Sequence, residues 1–190
     1  IPRFSKLFEN IEKVPIFIPP GAETASRVGH STLGKKIARK IGGVLGLKQE
    51  KKLHFSLWHE FHKPPYGGGN QFMLALSDAL ERKSVKVSRN KLSHTVDTHI
   101  CNSAWFDHKL FEMKAVDYPL RMIHRIDGPT TLYRGLGREE DDKIFDLNKR
   151  FASATVFQSS YSFKESYKLG YRAVGPVVIR NSTNHSIFNP

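Results

Sequence analysis

From residue 53 onward, short apolar runs alternate with segments of helical period, and this alternation limits the fold more than any other feature of the chain. "LHFSLWHEF" is mostly apolar and aromatic and reads as a strand. After the loop "PPYGGG", the stretch "NQFMLALSDALERK" brings Phe72, Leu76, Ala79 and Leu80 to helical spacing. "VKV" (85–87) and "DTHICNS" (97–103) read as strands, and "WFDHKLFEMKAV" (105–116) as a helix. "PLRMIHRID" (119–127) reads as a strand that ends at the turn signal Asp127-Gly128-Pro129. "EEDDKIFDLNKRFA" (139–152) reads as a helix whose acidic first turn suits the helix dipole. "ATVFQS" is a strand, "YSFKESYKLGY" a helix that stops at Gly170, and "PVVIRNS" (176–182) the last strand. The expected fold class is α/β: Rossmann-like βαβ units forming a doubly wound, mostly parallel sheet of about six strands. The nearly continuous apolar runs fit a sheet covered on both faces.

Two regions follow from this pattern: an N-terminal extension, residues 1–52, and the sheet domain, residues 53–190. "VPIFIPPGAETASRVGHST" holds three prolines and two glycines and reads as an irregular arm. In "LGKKIARKIGGVLGLK" (33–48), Leu33, Ile37, Ile41, Val44 and Leu45 share one helical face, and Lys35, Lys36, Arg39 and Lys40 gather on the other. Such a basic amphipathic helix can pack on its own domain, lie on an anionic membrane surface or touch nucleic acid. The chain's net charge of +12 is concentrated here: the first 52 residues carry 11 Lys/Arg against 4 Asp/Glu. A basic excess attracts phosphates, anionic lipid or nucleic acid, or simply keeps a protein soluble. No apolar run reaches the length of a membrane span, about 18 residues. The single cysteine, Cys101, excludes an intramolecular disulfide and fits a reducing compartment. A cytoplasmic protein is the expectation, with the inner face of the membrane as one place where the basic helix could hold it.

In a doubly wound sheet, ligands bind outside the carboxyl ends of the strands. That rule singles out Gly67, Gly68, Gly69 and Asn70, then Asn102, His124 to Asp127, Gln158 to Ser160, and Asn181. The glycines stand between the first strand and the first helix, where backbone N–H groups meet an anion, most plausibly a phosphate; a tight turn needing positive φ is the plainer alternative. A dinucleotide fold is disfavoured, since Phe72 replaces the third glycine of the G-x-G-x-x-G pattern and Ser88, Arg89 and Asn90 end the second strand without an acidic residue. No phosphate-binding G-x-x-x-x-G-K-[ST] occurs, and the nine histidines show no paired metal-ligand spacing. The aromatics are scattered, so no stacking platform for single-stranded nucleic acid emerges and no nucleic-acid partner is expected.

Four segments, in order, resemble the first domain of a GT-B glycosyltransferase, nearest to the retaining family-4 type. "PPYGGGNQFMLALSDALERKSVKV" is similar to that group's first strand, Gly-Gly loop and helix, with Ser84 where the pattern usually has glycine. "RMIHRIDGP" looks like the strand that ends in a histidine near the catalytic centre, and "ATVFQSSYSFKESYKLGY" like a following strand-to-helix segment. "VVIRNSTNHSIFNP" resembles the run that closes the first domain, with Ser182-Thr183-Asn184 in place of Gly-Val-Asp.

The resemblance implies transfer of a sugar from a nucleotide-sugar donor to a glycan or lipid-linked acceptor, with no cofactor and no metal. It also implies a second, C-terminal Rossmann-like domain that grips the nucleotide, so this chain alone is expected to be incomplete for catalysis. On this view His124 faces the transferred sugar and Asp127 orients the acceptor hydroxyl or takes its proton. Amides of Gly68 and Gly69 help hold the departing diphosphate. Tyr133 and Arg134, read as loop residues, hold an acceptor phosphate or sugar, and Gly67, Asn70, Asn102, Ser159 and Asn181 line the same edge. His124 as a buried structural histidine, Asp127 as a turn former and Tyr133 with Arg134 as solvated loop residues remain the alternatives. For the whole chain the alternative is a non-catalytic Rossmann-like binding or scaffold domain with a basic membrane- or polymer-binding extension.

Overall fold

The computed structural model describes residues 52–181 apart from 117, 119 and 136. The expected basic helix over 33–48, with the membrane surface it would meet, and the end of the closing segment lie outside the described residues. Six strands form one sheet: β1 (His54–Trp58), β2 (Lys86–Arg89), β3 (Thr98–Asn102), β4 (Met122–Ile126), β5 (Ala152–Phe157) and β6 (Pro176–Val178). The helices are α1 (Gly68–Arg82), α2 (His108–Ala115), α3 (Thr130–Arg134), α4 (Glu139–Phe151) and α5 (Ser160–Lys168). Every strand pair is parallel, in the order β2-β1-β3-β4-β5-β6. The chain is therefore a Rossmann-like α/β domain, as its alternating pattern predicts.

Both faces of the sheet are covered: every residue of β1, β3 and β4 is buried, the polar His54, Ser56, His124 and Arg125 included. On one face Phe55, Leu57, Ile100, Ile123 and Val156 pack under Met73, Leu76 and Leu80 of α1. On the other, Trp58, Cys101 and Met122 meet Phe111 and Ala115 of α2 and Leu147 and Phe151 of α4. Ile126 and Phe157 extend that layer to Ile144 and Phe145, with Phe163 of α5 packed against it. Successive strand residues point to opposite faces. In β4, Ile123 and Arg125 thus face α1, whereas Met122, His124 and Ile126 face α2 and α4.

Helix ends are set locally. Asp107 caps α2, its Oδ1 accepting from Leu110 N at 2.9 Å. α1 ends in a Schellman motif: Val85 N donates to Leu80 O at 3.1 Å and Ser84 N to Glu81 O at 2.9 Å. That motif needs a left-handed residue, and Ser84 takes it with φ 61°. The usual glycine of this pattern thus has a physical reason, and serine here adopts the same backbone.

Two boundaries differ from expectation. α1 begins at Gly68, so Gly68 and Gly69 form its first turn rather than a preceding loop. Tyr133 and Arg134, expected on a loop, belong to the helix Thr130–Arg134. The carboxylate of Asp141 in α4 accepts from Thr130 N at 2.7 Å and Thr131 N at 3.1 Å, and from both threonine hydroxyls at 2.9 and 2.5 Å. Part of the acidic first turn of α4 therefore caps α3.

Candidate functional site at the carboxyl edge of the sheet

The chain leaves β1 toward β2, then crosses to β3 on the other side. Between β1 and β3 the winding reverses, and the carboxyl ends of these strands flank the crevice expected of this topology. His59 follows β1, Asn102 ends β3, and the first turn of α1 stands beside them. A Cβ placed on Gly69 would lie 2.9 Å from Asn102 Nδ2, 3.7 Å from His59 Cε1 and 3.8 Å from Asp127 Oδ2. The glycine is required for space rather than for positive φ: its missing side chain lets three polar groups converge over the helix N-terminus. Gly67, at φ 50°, caps α1 without a side-chain hydrogen bond. Gly68 has nothing within 4 Å of its Cβ position.

Arg125 organises the cluster. Its guanidinium is buried and stacked 4.1 Å over the Phe72 ring. Nη1 donates to Asn102 Oδ1 at 2.6 Å and pairs with Asp127 Oδ1, and Nη2 donates to Gln158 Oε1 at 3.0 Å. A buried cation without such partners would be strongly destabilising. Asp127 keeps 21% of its side-chain surface, so the carboxylate remains accessible. Its backbone is pinned, because Asp127 O accepts from Gln158 Nε2 at 2.5 Å and from Ser162 Oγ at 2.6 Å.

His59 is held as firmly. Asn90 Oδ1 accepts from His59 N at 3.0 Å, and Asn90 Nδ2 donates to His59 O at 2.9 Å. The imidazole Nδ1 lies 3.3 Å from Asn102 Nδ2. Burial holds His59 below the ordinary histidine pKa, with the Asp127 charge acting in the opposite direction.

The site expected from sequence is thus partly assembled. Gly69, Asn102 and Asp127 come together. Asn181 reaches the rim, donating to Gln158 Oε1 at 2.8 Å. Tyr133 is 55% exposed on α3 and donates to Gly128 O at 3.3 Å; burial of its hydroxyl end and the charge of Asp127 raise its pKa. Arg134 stacks 4.5 Å over Trp105. Asn70 clamps the preceding loop, its Oδ1 accepting from His62 N and its Nδ2 donating to His62 O, both at 3.0 Å. Ser159 caps α5, accepting from Ser162 N at 3.0 Å.

His124 requires a correction. It does not face the crevice: it is fully buried on the α4 side of the sheet. Its Nε2 lies 2.8 Å from Ser103 O and its Nδ1 3.2 Å from Asn148 Nδ2, so both ring nitrogens are occupied. Burial pushes its pKa down to about 4. Its neighbour Arg125 points to the opposite face and gathers Asn102, Asp127 and Gln158. Sequence reasoning also missed His59, although the rule that marks residues following a strand would have found it.

The chain matches no protein-family model, no curated protein and no solved structure.

Proposed function

We propose that this domain is the acceptor-side half of a GT-B glycosyltransferase, which moves a sugar from a nucleoside-diphosphate donor to a glycan or lipid-linked acceptor. The reading is supported most by one observation: Asp127 Oδ2, His59 and Asn102 converge over the uncapped N-terminus of α1 at the β1/β3 reversal. A carboxylate so placed can orient the acceptor hydroxyl and accept its proton as the new glycosidic bond forms. Arg125 holds that carboxylate through Oδ1 and leaves Oδ2 toward the crevice. Free amides in the first turn of α1 add donors that need no reorganisation as charge develops on the departing diphosphate. The second wall of the cleft, which binds the nucleotide, belongs to a second domain, and the basic N-terminal segment would bring the enzyme to a membrane bearing its acceptor.

Transfer from a panel of nucleotide-sugars to glycan and lipid-linked acceptors, measured on the full-length protein, tests this. The expected result is transfer from a restricted set of donors, with Asp127→Asn lowering kcat by about 10²-fold or more. No transfer from any donor, or an Asp127→Asn enzyme as active as the wild type, would refute the reading.

A further inference from the structure

We propose that a cavity at the amino edge of the sheet binds a small organic carboxylate, held jointly by the Arg121 guanidinium and the Nε2–H of His99. The inference does not rest on the glycosyltransferase reading, since this cavity lies at the opposite end of the strands from the crevice.

The sheet sets the place. Asp97 and Arg121 immediately precede β3 and β4, and with His99 they line a cavity of about 230 Å³. His99 N donates to Arg121 O at 2.8 Å, so the two residues stand side by side at the start of neighbouring strands. The space is smaller than a drug-sized pocket of about 300–1,000 Å³ and suits a ligand of few atoms.

Two donors there lack an acceptor. An indole N–H can only donate. Trp58 Nε1, 3.1 Å from His99 Nδ1, therefore makes Nδ1 the accepting nitrogen. Burial lowers the His99 pKa to about 4, so at neutral pH the ring is uncharged and its proton sits on Nε2. No described residue, by side chain or backbone, accepts from that N–H. Nor is Nε2 sealed in: among the described residues, the fully buried side-chain polar atoms without partners are Thr98 Oγ1 and Arg121 Nε. The small accessible part of His99 borders the cavity and includes this donor. Arg121 makes the second demand. Its Nε is shut away from solvent without a partner, and no carboxylate or carbonyl among the described residues pairs with the guanidinium. Arg125, by contrast, is satisfied by Asn102, Asp127 and Gln158. An orphaned buried donor is rare in a folded protein and calls for an acceptor that the chain itself does not supply.

The ligand class follows from the walls. A guanidinium fork matches the paired oxygens of a carboxylate or a phosphate. Charge chooses between them. Asp97, whose Oδ2 accepts from His54 N at 2.9 Å, lines the same space and repels a phosphate dianion about twice as strongly as a monoanion. The rings of His94 and Tyr118, 4.5 Å apart, and the side chain of Val96 give the wall an apolar part for a hydrocarbon stem.

The test titrates the full chain, carrying ring-¹⁵N histidine and indole-¹⁵N tryptophan, at neutral pH and constant ionic strength. The probes are acetate and benzoate, with benzamide as the uncharged isostere of benzoate and inorganic phosphate as the rival anion. The expected result is a saturable shift of the His99 Nε2 signal with at least one carboxylate, in about the millimolar range. The Trp58 indole signal moves with it, because an acceptor on Nε2–H strengthens Nδ1 as the acceptor of the indole bond. Benzamide and phosphate produce no saturable shift. Arg121→Gln weakens carboxylate binding by about tenfold or more, the scale of a lost charged hydrogen bond. Unchanged amide signals of β3 and β4 in that variant show that the fold is intact.

The wild-type titration is decisive without any variant. No saturable shift at His99 with either carboxylate, phosphate binding as tight as the carboxylates, or benzamide binding as tight as benzoate would overturn the proposal. A folded Arg121→Gln protein with wild-type affinity would do the same. Carboxylate binding at His99 in a full-length protein that transfers no sugar would support the proposal and remove the transferase reading alone.

Discussion

A single backbone angle shows how far local chemistry reaches in this chain. Ser84 holds φ 61° to close the Schellman motif of α1, a conformation that costs a non-glycine residue roughly 1–2 kcal/mol. Ser84→Gly relieves that strain at the cost of unfolded-state freedom, so a net gain of about 0.5–1 kcal/mol is expected in urea unfolding. A loss of stability would show that the serine side chain contributes more than its backbone costs. The same scale separates His124 from Arg125. The sequence "MIHRI" marks β4 and its carboxyl end, but alternation of side chains leaves open which residue enters the crevice. The contacts decide it: Asn148 and Ser103 O enclose His124, whereas Arg125 gathers Asn102, Asp127 and Gln158.

At the level of elements, the first turn of α1 is the most informative test. Gly68 has open space at its Cβ position, and Gly69 does not. Gly68→Ala should be neutral or raise stability by up to about 1 kcal/mol, because alanine favours the helix. Gly69→Ala should cost about 1–3 kcal/mol, since the atom it would crowd is an amide held between Arg125 and His59. Thermal melts of the two variants check the contrast, and equal behaviour would mean that the convergence over Gly69 is not tight. The central strands β1, β3 and β4 were legible in sequence because burial on both faces enriches them in apolar residues, whereas the edge strands β2 and β6 are largely exposed and show only short apolar stretches. α3 was not, because a five-residue helix shows no period and its cap comes from Asp141 in another element. His59 directly follows β1, so its place was legible, but its hold was not: its partners Asn90 and Asn102 lie 31 and 43 residues away. Asp127 could be read directly, since a strand end and a turn signal coincide there.

For the whole molecule, the two deeply buried histidines predict an acid limit. Burial lowers the pKa of His124 and of His99 to about 4, against 6.5 for an unperturbed histidine. His99 Nδ1 also accepts from Trp58 Nε1 at 3.1 Å, a bond that protonation would remove. Below pH about 6.5 the unfolded chain binds more protons than the folded one, so stability falls as pH falls. The loss runs from pH about 6.5 to about 4 and then levels, amounting to at most about 3 kcal/mol for each histidine. Urea unfolding across that range should lose most of this slope in a His99→Gln, His124→Gln double variant. An unchanged slope would assign the acid sensitivity to other groups.

The central claim is that function resides at the carboxyl edge, in the crevice between β1 and β3. A competing location exists at the opposite edge, where Ser93, His94, Asp97, Tyr118 and Arg121 line a cavity of about 230 Å³. Hydrogen exchange of the full-length protein, measured with and without a nucleotide-sugar and an acceptor glycan, distinguishes the two. The account predicts slowed exchange in residues 59–70, 102–105 and 125–134, with residues 93–97 and 121 unchanged. Protection confined to the cavity around His94, Tyr118 and Arg121 would contradict it.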